Sequence, residues 1–229
     1  MNEPPFGVRA PFLFGHPDAT LITLARHGRQ AYPEADRFDP IAWADPPLSD
    51  VGVLQAQALG RALADEPIDV VACSELVRAR RTAEIAMAGR DVEWIIDHEL
   101  REIDSFRSLE PGQSPADFLS AQEWQDRQQR FHLERRWDHM PFSESSADFR
   151  TRVLAALNRV IEAHPGGRIL IVSHGGVINA YIADLLGLDE DLFFLPHHCS
   201  ITEAAVHADI RRLRSINEHR HLAPAILTN

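Results

Sequence analysis

Short apolar runs that stop at glycine recur along this chain of 229 residues. Leu21-Ile22-Thr23-Leu24-Ala25 ends at Arg26-His27-Gly28, and Arg168-Ile169-Leu170-Ile171-Val172-Ser173 ends at His174-Gly175-Gly176. A brief apolar run bounded by glycine predicts a buried strand. Val70-Val71-Ala72-Cys73 predicts a third, and residues 93–96 a fourth. Between them the period changes. Ser49 stands where an N-cap belongs, before Val51, Leu54, Ala58, Leu59, Ala62 and Leu63, whose spacing is helical. Residues 76–88 read as a helix. So does the stretch carrying Phe149, Val153, Ala156, Leu157, Val160 and Ile161, which Pro165-Gly166-Gly167 closes, and so does the apolar stretch from Gly175 to about Leu186.

Strands alternating with helices predict an α/β fold: a mostly parallel sheet flanked by helices on both faces. Two late strands, near residues 200–206 and 212–216, lie close enough in sequence to pair as an antiparallel edge. Residues 103–145 break the rhythm. Ser114-Pro115 is expected to open a polar helix with Phe118, Trp124, Phe131 and Trp137, a helical cap inserted into a single domain of residues 1–229. Residues 1–18, rich in Pro, Gly and Phe, read as an irregular arm on the surface.

Charge narrows the partners. Against 34 acidic residues stand 23 basic ones, a formal charge of -11, so nucleic acid and anionic membrane surfaces are poor partners at long range. The cations are arginines, whose planar fork suits oxyanions. No signal-peptide pattern opens the chain and no apolar run approaches a membrane span, which predicts a cytoplasmic protein. The two cysteines do not form a disulfide framework, and Cys73 reads as a buried, inert thiol. His197-His198-Cys199 looks like a metal cluster, yet neighbours on a strand point to opposite faces and spaced Cys or His pairs are missing. His207, His219 and His221 read as surface or tail residues.

In an open α/β sheet, ligands bind beyond the carboxyl ends of the strands. Two strands here end in histidine followed by glycine, which permits close backbone approach, and nearby helix N-termini offer N–H groups to an anion. Two imidazoles and an arginine are expected to converge there.

With those residues in place, the chain resembles the histidine phosphatase (phosphoglycerate mutase-like) superfamily. The resemblance runs through Leu24-Ala25-Arg26-His27-Gly28, Pro47-Leu48-Ser49-Asp50-Val51-Gly52, Gln55-Ala56 and Leu59-Gly60. It continues in Ser74-Glu75-Leu76-Val77-Arg78-Ala79, Thr82-Ala83, Leu100-Arg101-Glu102-Ile103 and Val172-Ser173-His174-Gly175-Gly176-Val177-Ile178. These blocks span residues 22–205 in the family's order.

The resemblance implies roles. His27 is the nucleophile, attacking phosphorus through Nε2 while a backbone acceptor holds Nδ1–H. Arg26 and Arg78 clamp the phosphoryl oxygens, and a protonated His174 adds a third positive group. Glu102 is the acid for the leaving alcohol and then the base for water. Gln30 and Gly175 join Arg26, Arg78 and His174 in holding substrate. No metal or cofactor is called for. Arg80 and Arg81 are left on the surface.

Departures from the family pattern bear on specificity. Gln30 replaces the usual Ser or Thr, and Pro33 removes an N–H where Asn is frequent. Ser105-Phe106-Arg107-Ser108-Leu109 replaces a Gly-Trp-Glu-Gly-like segment, and Ser143-Glu144-Ser145 stands for Gly-Glu-Ser. Phe106, Trp124, Phe131, Trp137 and Phe142 either line an apolar mouth or pack the cap. The expected activity is metal-independent hydrolysis of a small organic phosphate monoester. A cofactor-dependent mutase is disfavoured because no long basic proline-rich insertion is present. A non-catalytic phosphate-binding relative is the third reading, prompted by Gln30 and Pro33. The partner is a small phosphorylated molecule, and the sequence leaves room for a homodimer.

Overall fold

A computed structural model describes residues 13–33, 40–106 and 108–229. In chain order the elements are β1 (Thr20–Arg26), α1 (Pro40–Ala44), α2 (Asp50–Ala62), β2 (Val70–Cys73), α3 (Val77–Ala86) and β3 (Glu93–Ile96). They continue with α4 (Ala121–Glu134), α5 (Ser146–Ala163), β4 (Arg168–Ser173), α6 (Gly175–Leu186), β5 (Ile201–His207) and β6 (Ile210–Glu218). The first twelve residues of the expected arm lie outside the described residues; Leu13–Gly15 form one 3-10 turn.

The strands form one sheet in the order β3-β2-β4-β1-β5-β6. The first four run parallel, and β5 and β6 add the expected antiparallel edge. Alternation along the strands divides the core. Ile22 and Leu24 of β1 and Ile169 and Ile171 of β4 pack with Phe149, Val153 and Leu157 of α5 and Val177, Ile178 and Tyr181 of α6. From the other face, Ala25, Val71, Leu170 and Val172 meet Ala56 and Leu59 of α2 and Ala83 and Ala86 of α3. A two-residue period places both sets without conflict.

That division locates a crevice. Strands β1 and β4 are neighbours, yet α2, the longer of the two helices between β1 and β2, lies on one face and α6, which follows β4, on the other. A sheet opens between such strands at their carboxyl ends.

The cap differs from expectation at its start. Ser114-Pro115 opens only the 3-10 turn Pro115–Asp117, and α4 begins at Ser120, whose side chain accepts from Glu123 N–H. No residue of α4 is buried. Its aromatic anchor is Phe131 stacked on Trp137, with centroids 4.8 Å apart, and Trp137 packs against the core beneath α5. Below it, buried Asp191 accepts from Trp137 N–H and Arg150 Nε, both at 2.9 Å, and fastens the base of the cap to α5.

Candidate active site

The two histidines leave the sheet side by side. Arg26 and Ser173 are register partners, and His27 N–H donates to Ser173 C=O at 2.8 Å, so the next residue on each strand emerges at the same edge. The His27 and His174 ring centroids lie 5.0 Å apart. His27 is 3% exposed and His174 0%.

The loop after His27 is fixed by groups from α2 and α3. Gly28 N–H donates to Thr82 Oγ1 at 2.9 Å, and Arg29 N–H to Gln55 Oε1 at 2.8 Å. Gly28 also packs on Gly52, where a Cβ on Gly28 would fall 2.5 Å from the Gly52 carbonyl oxygen. Only glycine allows that approach.

His27 Nδ1 lies 2.7 Å from the Gly28 carbonyl. A carbonyl only accepts, so Nδ1 carries the proton and Nε2 presents a lone pair. Burial, with His174, Arg78, Arg26 and His198 nearby, holds the His27 pKa well below the usual 6.5. The ring is therefore neutral and nucleophilic at pH 7.

Arg78 points inward. It is 6% exposed, its Nε lies 3.4 Å from His27 Nε2, and its Nη1 is held by Ala44 C=O at 3.0 Å and by Asp45 at 3.6 Å. Arg26 Nη1 donates to Pro196 C=O at 2.5 Å. Burial lowers the pKa of both guanidiniums and the charge of Glu102 raises it; arginines of this kind stay protonated. Arg80 and Arg81 instead face solvent and pair with Glu84.

The positive charge expected on His174 needs correction. Burial, then Arg78, Arg26 and Arg152, depress its pKa well below the ordinary value. Its Nε2 lies 2.8 Å from Ser74 Oγ, which also accepts from Leu76 N–H at 3.3 Å. With Ser74 donating its hydroxyl proton to Nε2, His174 is neutral and carries its proton on Nδ1. In this state His174 presents an N–H donor and no charge.

Glu102 lies at the N-terminus of α6. Its Oε2 accepts from Gly176 N–H at 3.1 Å and its Oε1 from Ile103 N–H at 3.0 Å. A Cβ on Gly176 would sit 2.3 Å from Oε1, so glycine is required for the carboxylate to rest there. Gly175 borders both groups: a Cβ on it would lie 3.8 Å from Arg26 Nε and 3.9 Å from Glu102 Oε2. Gln30 stands apart, half-buried in a bridge with Leu48, with its Oε1 buried and without a partner among the described residues. Thus His27, His174, Arg26, Arg78, Glu102 and Gly175 converge, and Gln30 is a few residues along the same loop.

Beside Arg78 and Glu102 opens a pocket of about 250 Å³, walled by Trp43, Leu76, Ile103 and Phe106, with Arg101 and Asp104 as polar neighbours. Of the five cap aromatics named from sequence, Phe106 alone lines it. Phe118 stacks on Phe142 at 5.7 Å, and Phe131 and Trp137 pack on each other.

Sequence reasoning missed the parts played by four residues. Ser74 sets the His174 tautomer. Glu144 and Arg152 clamp the backbone of Glu102. His198, set aside as half of an implausible metal cluster, is 1% exposed and lies against His27 at 5.6 Å. The two adjacent histidines do diverge, since His197 stacks on His219 at 4.4 Å. His221, expected on the surface, is half-buried, with Nε2 donating to Cys199 C=O at 2.9 Å. Cys73 and Cys199 are buried free thiols, and burial pushes the Cys73 pKa up to about 11.

The buried neutral histidines have a stability consequence. Below pH 6.5 the unfolded chain binds protons at positions 27, 174 and 198 that the folded chain refuses. Stability should therefore be fully present above that pH and fall as pH drops, by roughly 1.4 kcal/mol per pH unit for each histidine. For His198 the loss should continue to about pH 3. Urea unfolding between pH 7.5 and about 4.5 measures the slope; a flat profile would contradict the assignment.

A neutral imidazole ringed by arginines, a second imidazole and a carboxyl at a sheet crevice makes a site suited to a small oxyanion. Residues 22–219 match the histidine phosphatase superfamily (branch 1). The chain belongs to that superfamily and is an enzyme of its phosphatase and mutase class. It is 30% identical over 186 residues to a probable 2-carboxy-D-arabinitol-1-phosphatase of Arabidopsis thaliana, covering 79% of this chain but only 37% of the plant protein's length. It is also 30% identical over 167 residues to a probable phosphoglycerate mutase, GpmB, of Yersinia pestis, covering 73% of this chain and 75% of the relative. Among solved structures, a putative alpha-ribazole-5'-P phosphatase of Escherichia coli superposes with a TM-score of 0.70 at 27% identity, over 88% of this chain and 97% of that one. Bacillus stearothermophilus YhfR gives 0.71 at 26% identity, over 88% and 98%.

Proposed function

We propose that the protein is a metal-independent phosphatase that hydrolyses a small organic phosphate monoester through a phosphohistidine on His27. The observation that carries this reading is a pair of buried donors. Arg26 Nε and His174 Nδ1 are buried without a partner among the described residues, beside the lone pair of His27 Nε2. Buried donors are ordinarily paired, and a phosphoryl oxygen supplies the missing acceptor.

The chemistry follows from the geometry. Phosphoryl oxygens bind Arg26, Arg78 and His174 Nδ1–H, which stabilises charge on the equatorial oxygens. His27 Nε2 attacks phosphorus, an N–P bond forms, and the ester P–O bond breaks as Glu102 gives its proton to the leaving oxygen. Water then attacks phosphorus, Glu102 takes its proton, the N–P bond breaks, and inorganic phosphate departs. Gln30, on the same loop as His27, contributes an amide to the substrate's rim.

The leaving group occupies the pocket walled by Trp43, Leu76, Ile103 and Phe106, which suits a compact, partly apolar alcohol. A bisphosphate would need a second cationic site. Among the described residues the additional guanidinium in the pocket is Arg101, which lies 3.6 Å from Asp104, and this favours hydrolysis over mutase transfer. The net charge of -11 keeps nucleic acid and anionic membranes from being partners. No helix among the described residues is long and apolar enough to cross a membrane, which fits the cytoplasmic location we propose.

Incubation with an aryl phosphate and with phosphoglycerate, each with EDTA, tests the reading. Phosphate release from the aryl ester, unaffected by the chelator and at least about tenfold more efficient than release from phosphoglycerate, is expected. Bisphosphate-primed interconversion of phosphoglycerates would establish the mutase instead, and binding without release the non-catalytic relative.

A further inference from the structure

His198 stands just ahead of β5. Its ring is 1% exposed and packs against His27 at a 59° tilt, so His27 is flanked by imidazoles on two sides. Its Nδ1 lies 2.9 Å from Thr228 Oγ1, and that oxygen already accepts from Gln55 Nε2 at 2.8 Å. The threonine proton is then free to go to Nδ1. In that arrangement His198 carries its own proton on Nε2.

That Nε2 is buried and has no partner among the described residues. An unpaired buried donor costs folding free energy, so its retention calls for an acceptor that arrives with a ligand. Arg26 Nε and His174 Nδ1 are unpartnered in the same way, and Arg26 is the charge that His198 feels most strongly.

We propose that His198 is a further phosphate-binding residue, a third imidazole whose Nε2–H donates to an oxygen of the phosphoryl group on His27. This rests on the phosphoryl-transfer reading above. The C-terminal segment thereby takes part in the site: Thr228 fixes the tautomer, and Gln55 ties Thr228 to the loop that carries Arg29.

Two amide substitutions separate this role from simple bracing of His27. In His198→Asn the amide reaches Thr228 but stops short of the Nε2 position. In His198→Gln it extends to about where Nε2 sits. The probes are orthovanadate inhibition and the KM and kcat for an aryl phosphate, with thermal unfolding measured on the same samples.

His198→Asn should weaken vanadate at least about tenfold, while His198→Gln stays within about threefold of the parent and both unfold at similar temperatures. Equal vanadate affinity in the two variants, or weakening that tracks a lost unfolding midpoint, would overturn the proposal. If the parent protein binds no vanadate and releases no phosphate, the phosphoryl-transfer reading fails and this one with it. If the parent does both and His198→Asn matches it, His198 alone is wrongly assigned.

Discussion

His27→Ala is expected to lower turnover of an aryl phosphate by about 10⁴-fold or more while leaving the thermal midpoint close to that of the parent. The substitution removes the proposed acceptor of the phosphoryl group; Arg26, Arg78 and His174 can still hold the anion. Vanadate or phosphate should therefore still bind to the variant. The fold should survive because the ring's polar contacts are a bond to the adjacent Gly28 carbonyl and a long one from Arg78 Nε, and the loop keeps its bonds to Thr82 and Gln55. Steady-state kinetics with a burst analysis measures this. Retention of more than about a hundredth of the parent rate would show that water attacks the ester directly.

Arg152→Ala is expected to cost about 3–5 kcal/mol of stability and, in molecules that remain folded, to depress kcat more than KM. Arg152 meets Glu144 through Nε to Oε2 at 2.9 Å and Nη2 to Oε1 at 2.5 Å, and its guanidinium covers the Phe149 ring. Its remaining N–H groups donate to the carbonyls of Glu99, Arg101 and Glu102 at 2.7, 3.0 and 3.1 Å. Glu144 in turn accepts from Asp104 N–H at 2.9 Å. The pair thus grips the chain on both sides of Glu102. Burial alone would raise the Glu144 pKa, but the bonds from Arg152 and Asp104 outweigh it and leave it below the ordinary value.

Truncating Arg152 leaves that carboxylate buried, charged and unpaired. Urea unfolding gives the stability term. Arg152→Lys, which keeps the charge but cannot span five acceptor oxygens, should fall between parent and alanine. An alanine variant with unchanged kcat would show that the clamp does not position the acid.

The strands and their ends were legible because the physics that forms them is local. Runs at residues 21–25 and 168–173 are apolar on both faces, as strands with helices on each side must be, and glycine after each histidine marks where the backbone has to approach something. Ser49 declared its helix through a cap that acts within three residues. The cap start was misread for the same reason: Ser114 has Asp117 and Ser120 has Glu123 three residues on, so each carries the same local signal. The chain answers both, one with a single 3-10 turn and one with α4. Helix α1 has five residues, too few for any periodicity, yet its Ala44 carbonyl helps aim Arg78.

The rest of the site depends on contacts between distant segments. Ser74 meets His174 across 100 positions, and Arg152 reaches Glu102 across 50. The one sequence hint for Arg152 is its place three residues after Phe149, on the apolar stripe of α5, where an arginine needs a buried partner. The charge on His174 was not legible because burial first, and then the arginines that suit an anion, keep a proton off its imidazole.

The most direct test quenches turnover of an aryl phosphate within milliseconds, in EDTA, and maps the trapped protein by mass spectrometry. The account predicts one phosphoryl group on the His27 peptide, stable in alkali and lost in acid, and absent from His27→Ala. An enzyme that turns over with no such adduct, or one that carries it on His174 or His198, would contradict it.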